Sequence, residues 1–262
     1  MNLVIVDPQN SFCDKEKGSL YVPNSENDMK NISSFIDKLG SEIKNIFISL
    51  DTHHLISIFH PLMWINDKNE HPSPFTSISS LDIKNNIWSP ILPELKEKYI
   101  KYCEELEKIG KHNLIIWPEH CLIGSEGSNV SPILYPSLLK WEEKFQKNIN
   151  WIIKGMNINT ENYSFIKSEV PDKNDISTLP NELLLEYIDT EEQIFILGEA
   201  GSHCVLESIK DIVELSDNKK IIEKIIFMED CISPVSGFES TQENFVKEYK
   251  ELGMKVAKST DF

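Results

Sequence analysis

Six short, nearly unbroken apolar runs punctuate this chain: Leu3–Val6, Ile46–Leu50, Leu114–Trp117, Trp151–Ile153, Ile194–Leu197 and Ile225–Met228. They lack the apolar–polar alternation of a half-wet strand, so the strands they predict are buried on both faces. Such strands belong to parallel sheets covered by helices on each side. Helical patterns fill several of the intervals, at residues 25–39, 93–110, 204–215 and 242–252. The expectation is one α/β domain over residues 1–262, doubly wound, with a mostly parallel sheet of about six strands and helices on both faces. Residues 61–112 break the rhythm. Their first part is rich in Pro, Asn and Ser and carries Trp64 and Trp88. This segment reads as a long irregular insertion, a lid or an oligomer contact rather than a domain of its own.

Charge narrows the partners. A net charge of −16 over 262 residues argues against nucleic acid and against an anionic membrane surface. Every basic side chain apart from histidine is lysine, so no guanidinium fork is available to clamp a carboxylate or phosphate. Five irregularly spaced cysteines form neither a disulfide framework nor a CxxC zinc pair, which points to reduced thiols in the cytoplasm. The N-terminal residues lack the pattern of a secretory leader, and no apolar run reaches membrane-spanning length.

The chemistry gathers at the ends of the apolar runs. Asp7, Lys154 and Cys204 each stand just past one, and the ends of parallel strands share an edge where open α/β folds bind ligands. Cys204 follows a small-residue turn where a helix begins, a place that favours thiolate. A carboxylate can take the thiol proton while an ammonium holds that carboxylate and stabilises the sulfur anion. A second group, Asp51-Thr-His53, with His120 beyond another run, offers one carboxylate and two imidazoles. That set suits zinc, iron or manganese with positions left open. Phe12 and Trp117 stand beside these groups as candidate pocket walls.

Val6-Asp7-Pro8-Gln9-Asn10-Ser11-Phe12, Asp51-Thr-His53, Trp117-Pro-Glu-His120-Cys121, Lys154-Gly155 and Gly198-Glu-Ala-Gly-Ser-His-Cys204-Val205 occur in that order. Together they resemble the motifs of nicotinamidases and the wider isochorismatase-like cysteine hydrolases. The resemblance implies an isochorismatase-like fold and a catalytic triad of Asp7, Lys154 and Cys204. It implies one divalent metal, zinc first, on Asp51, His53 and His120, and Phe12 and Trp117 sandwiching a flat substrate. It also implies a cis peptide at Glu199–Ala200, so that the Ala200 and Cys204 amides form an oxyanion hole. The reaction implied is hydrolysis of a small carboxamide, nicotinamide to nicotinate and ammonia through a cysteine thioester, in a homo-oligomer. Metal-free hydrolases of the superfamily acting on isochorismate, ureidoacrylate or carbamoyl compounds, and a catalytically silent ligand-binding member, are the alternatives. Many nicotinamidases carry a further histidine six residues after the metal aspartate. Here that position is Ser57, and His54 or His60 stands near enough in sequence to replace it.

Overall fold

A computed structural model describes residues 1–109 and 113–262. The chain begins with β1 (Asn2–Val6), the short α1 (Asn10–Cys13), α2 (Ser25–Leu39) and β2 (Asn45–Asp51). The insertion then supplies β3 (Trp64–Ile65), β4 (Ser77–Ile78), α3 (Ser80–Lys84), β5 (Ser89–Pro90) and α4 (Lys96–Ile109). After it come β6 (Leu114–Ile115), α5 (Tyr135–Phe145), β7 (Asn150–Lys154) and α6 (Glu182–Thr190). The remaining elements are β8 (Ile194–Gly198), α7 (Cys204–Leu215), β9 (Ile225–Met228), α8 (Glu239–Glu251) and β10 (Lys255–Ala257).

Six strands form the central sheet in the order β10-β9-β8-β1-β2-β7, and every neighbouring pair is parallel. Helices cover both faces. The centre of the sheet is its driest part, with all five residues of both β1 and β8 buried. This is what unbroken apolar runs predict, because neither face of these strands meets water. Helix α2 keeps Met29, Ile32, Phe35, Ile36 and Leu39 on one stripe at helical spacing, and that stripe joins the core.

One of the six predicted strands belongs elsewhere. The run 114–117 contributes only β6, which pairs antiparallel with β4 in a separate two-stranded sheet. The next two amides, of Ile116 and Trp117, bond to the carbonyls of Thr76 and Phe59. The run is apolar because it is buried beneath the insertion, not because it lies inside the main sheet. Its place in the sheet is taken by β10, a three-residue edge strand too short and too exposed to announce itself by hydrophobicity. The insertion is better ordered than its composition suggests. Trp64 is fully buried, donates Nε1–H to the Ile58 carbonyl at 2.6 Å, and packs against Tyr99 at 5.5 Å between ring centroids. Of its aromatics Phe75 is the exposed one, and it reaches Trp117 edge-on at 5.7 Å. The predicted helix over 93–110 appears as a 3₁₀ turn at Pro93–Leu95 and then α4, and its last position lies outside the described residues.

Candidate active site

The sheet register brings the polar strand ends together. Asp7 follows β1, Asp51 ends β2 and stands opposite Lys154 at the end of β7, and Gly198 ends β8 opposite Val6. All these strands run the same way, so their carboxyl ends share one edge. The backbone is strained there. Asp7, Cys121 and Ala200 have φ of 44°, 48° and 56°, a region that residues with a Cβ rarely occupy and that gathers at functional sites.

Lys154 is the hub. Its side chain is buried, and its Nζ lies 2.9 Å from Asp7 Oδ2, 2.9 Å from Asp51 Oδ1 and 2.9 Å from the Asn162 carbonyl. It also donates toward Cys204 Sγ at 3.8 Å. Burial alone would strip its proton, but the charges of Asp51 and Asp7 outweigh burial and hold its pKa well above the usual lysine value. Asp7 accepts a 2.6 Å hydrogen bond from the Ser49 hydroxyl on Oδ1. Its Oδ2 meets Lys154 as an ion pair at an angle too poor for a hydrogen bond, so a lone pair remains for a proton. Burial, together with the charge of Asp51, raises the Asp7 pKa against the pull of Lys154, which makes it a stronger base.

Cys204 opens α7, where its N–H belongs to the first turn and has no partner inside the helix. The expected resting thiolate does not appear. Burial pushes the Cys204 thiol well up, and the nearby carboxylates add to this against the help of Lys154. A helix terminus contributes a fraction of a charge, which does not offset full desolvation. Burial raises the other four thiols too. Cys204 therefore differs from them by its neighbours, an ammonium and a carboxylate within reach, and not by a low resting pKa. The turn before Cys204 corrects a second expectation. The Glu199–Ala200 bond is trans, and the turn is made instead by the left-handed Ala200. The Ala200 amide leans on the Glu199 carboxyl without a well-aligned hydrogen bond, while the Cys204 amide, in the first turn of α7, has no partner inside the helix.

Asp51, His53 and His120 converge, with one donor atom of each lying within 4.8 Å of the others. His53 Nε2 stands 2.7 Å and His120 Nε2 3.4 Å from Asp51 Oδ2. The Nδ1 atoms face backbone carbonyls, His53 to Gly155 at 3.2 Å and His120 to Pro118 at 2.8 Å. With Nδ1 held in this way, each ring turns its Nε2 toward Asp51. Burial opposes a charge on Asp51, but His53 and Lys154 hold its carboxyl well below the usual range. His120 arrives from outside the sheet. A one-residue parallel bridge between His53 and Leu122, with His53 N–H donating to the Cys121 carbonyl at 3.1 Å, docks its loop against the end of β2.

These residues fit a divalent cation. One carboxylate oxygen and two imidazole nitrogens form a donor set for zinc, iron or manganese. A third imidazole stands beside them. His60 is fully buried, its Nδ1 faces the Leu55 carbonyl at 3.1 Å, and its Nε2 has no partner. Its ring centroid is 5.8 Å from that of His53 and 5.6 Å from that of His120. Burial lowers its pKa to about 3, so it stays neutral with a lone pair exposed. His54, the other histidine considered for this place, is exposed.

Phe12, Trp117, Asp51, His53, His120 and Cys204 all line one cavity. Phe12 meets His120 edge-on at 5.6 Å. Several residues that sequence reasoning missed complete it. Trp117 donates Nε1–H to the Tyr163 hydroxyl at 2.8 Å, and Tyr163 donates to Glu161 at 2.7 Å. His203 stands perpendicular to Trp117 at 5.1 Å. Gln9 clamps Asp51, accepting its N–H at 2.7 Å and donating to its carbonyl at 2.7 Å. Gln9 lay in plain view within the opening motif. Glu161 and Tyr163 lie in a loop with no periodicity to mark them.

No protein-family model and no curated protein sequence matches the chain. Solved structures do. A nicotinamidase/pyrazinamidase of Acinetobacter baumanii superposes with a TM-score of 0.64 at 20% identity, over 99% of this chain and 96% of that one. The yeast nicotinamidase Pnc1p gives 0.65 at 20% identity over 98% of both chains. The pyrazinamidase of Pyrococcus horikoshii in complex with zinc gives 0.56 at 16% identity over 98% of both. The likeness defines the architecture of this chain as an α/β sheet of isochorismatase-like type. More particularly, the fold is the one that nicotinamidases and pyrazinamidases adopt.

Proposed function

We propose that the chain is a cysteine amidohydrolase that cleaves a small, flat, neutral carboxamide, nicotinamide to nicotinate and ammonia. The observation that carries this reading is that Cys204, Asp51, His53 and His120 line one aromatic-walled cavity, with Lys154 and Asp7 meeting behind them. The same chemistry in similarly folded proteins supports it, since the structures above are named for nicotinamide and pyrazinamide hydrolysis.

In the proposed cycle Asp7 removes the Cys204 proton as sulfur attacks the carboxamide carbon. Lys154 spreads its positive charge over the growing thiolate and over Asp7. The Cys204 N–H donates to the oxyanion, a contribution of about 3–4 kcal/mol for one such donor in other hydrolases. The Ala200 amide, expected as a second donor, would have to leave Glu199 to join it. Asp7 returns the proton to the leaving nitrogen, ammonia departs, and a thioester remains. Asp7 then takes a proton from water as that water attacks the thioester, the C–S bond breaks to release the acid, and Asp7 returns the proton to the Cys204 sulfur. Asp51, His53 and His120 would hold one divalent cation, zinc first, with His60 as a further donor at its flank. Bound there, the cation supplies a Lewis acid for a ring nitrogen or a water. Phe12 and Trp117 would flank the ring.

The cavity speaks against a dianionic substrate. No lysine stands among the described residues that line it, Lys154 behind it is already committed to two carboxylates and a carbonyl, and Glu161 adds an acidic side chain to the wall. The five cysteines are all free and buried, which supports a reducing, cytoplasmic setting. No described helix is long and apolar enough to cross a membrane. The edge strand β7 shows Trp151 and Ile153 to solvent at 43% and 54%, which supports the expected homo-oligomer. The test is ammonia release from nicotinamide. Cys204→Ala should abolish it while circular dichroism and bound metal stay unchanged. Turnover within tenfold of wild type would remove the nucleophile.

A further inference from the structure

Behind the nucleophile turn lies a second pair of acids that the proposed chemistry does not use. Glu199 directly follows β8 and is 0% exposed, and Asp28 in the first turn of α2 is 1% exposed. Asp28 Oδ1 accepts from Asn24 Nδ2 at 3.0 Å. The Ser233 hydroxyl leans on Asp28, and the Ala200 and Ser233 amides lean on Glu199, but none makes a well-aligned hydrogen bond to Asp28 Oδ2 or to either Glu199 oxygen. Yet the two carboxyl groups are within hydrogen-bonding reach of one another. Ionised carboxylates only accept, so two of them cannot bond. Two unpaired charges side by side in a dry interior would also be costly. The donor that is missing is a proton.

We propose that Glu199 and Asp28 share one proton, and that this carboxyl–carboxylate bond latches the nucleophile turn to helix α2. The latch sits where three segments meet. Glu199 is the residue before Ala200. Asn24, just ahead of α2, donates to Ser233 Oγ at 3.3 Å as well as to Asp28. The Ser233 carbonyl accepts the Gly201 N–H at 2.9 Å, and Ser202 Oγ accepts the Val235 N–H at 3.1 Å. The groups facing the pair are Asp230 and Cys231 from the segment after β9, and Cys13 from α1. None is a cation that could take the place of the proton. Burial, with the charge of Asp230, pushes Asp28 up to about 6. Burial and the charge of Asp28 push Glu199 well above the ordinary carboxylate range.

The sign of the pH effect follows. A carboxyl whose pKa is raised by folding keeps its proton in the native state at a pH where the unfolded chain has released it. Its contribution is present at low pH and is lost as pH rises from the ordinary carboxylate range through the folded pKa. An elevation of about two units, as for Asp28, corresponds to about a hundredfold in the unfolding constant.

The test compares the intact protein with Glu199→Gln and Glu199→Ala in urea unfolding from about pH 4.5 to about pH 8. Glutamine keeps an N–H for Asp28 but has no proton to lose, so about a hundredfold of the pH dependence should vanish while the protein stays folded. Alanine leaves Asp28 without its partner and should be destabilised across the range. In infrared spectra at neutral pH, the carbonyl stretch of a protonated carboxyl should be present in the wild type and absent from Glu199→Gln. Parallel pH curves for wild type and Glu199→Gln, or no protonated-carboxyl band, would overturn the latch. These readouts use no turnover, so they fail independently of the amidase assignment. The role as a positioning residue for Cys204 does rest on that assignment. Glu199→Ala should lose about tenfold or more in kcat with KM little changed, and Glu199→Gln should restore it. Equal kcat in both variants would confine the pair to stability.

Discussion

Gly155 is where the candidate metal centre and the fold press most tightly on one another, so Gly155→Ala is a sharp test of the site. Gly155 has φ of +83°, and a Cβ placed on it would lie 2.6 Å from His53 Cε1 and 2.9 Å from Asp51 Oδ1. Two costs follow. A side chain in the left-handed region costs about 1–2 kcal/mol. Overpacking beside a buried imidazole that cannot swing away adds about 1–3 kcal/mol. His53 is pinned by the Gly155 carbonyl and by Asp51, and Asp51 is pinned by Lys154 and Gln9. The contact is with ring and carboxylate atoms in a clamped cluster, not with a flexible tip. The expected destabilisation is about 2–5 kcal/mol, a fall in Tm of about 4–20 °C for a chain of this size. Because the two groups that must move are the proposed ligands, zinc affinity should fall at least tenfold alongside it, the equivalent of about 1.4 kcal/mol. Calorimetry with and without zinc, and titration against a chromogenic chelator, read the two effects separately. A variant that melts within a degree of wild type and binds zinc equally well would refute the crowding argument. One that melts lower but binds zinc normally would show that Asp51 and His53 are not ligands.

The remaining predictions concern the neighbours of that cluster. His60→Ala should weaken zinc binding about tenfold or more, because it removes the one buried imidazole nitrogen left without a partner beside the site; an unchanged dissociation constant would make His60 a packing residue only. Tyr163→Phe should leave the Trp117 N–H and one Glu161 oxygen short of a partner in a buried place. That should cost about 1–3 kcal/mol in urea unfolding and raise KM for nicotinamide as the Trp117 wall loosens; an unchanged midpoint and KM would show the bond to be dispensable.

Much of this site was legible before any coordinates, because chemistry and strand pattern coincide in the sequence. Asp7, Asp51 and Lys154 could be placed at one edge since parallel strands buried on both faces leave that arrangement as the natural one. His120 was harder. Its apolar run looked like a strand of the main sheet, yet β6 pairs with β4 and the histidine reaches the site through the bridge from Leu122 to His53. Hydrophobicity reports burial and not the partner that causes it. Strand β10 escapes a reading by hydrophobicity for a related reason, since it has no buried residue to mark it. Tyr163, Glu161 and His203 entered the pocket unannounced, since loop residues carry no period to betray which way they face.

The sequence by itself determined the class of fold, the order of the central strands' motifs and the kinds of chemical group available. Those are local properties, set by run length, side-chain type and spacing. What only the tertiary structure decided was the state of those groups. Desolvation keeps the Cys204 thiol protonated, competing charges keep Lys154 ionised, and a left-handed Ala200 stands where a cis bond was expected. The pairing of Glu199 with Asp28 also belongs to the folded chain. Electrostatic energies depend on distance and on the water excluded between groups, and neither quantity exists until segments far apart in sequence are packed together.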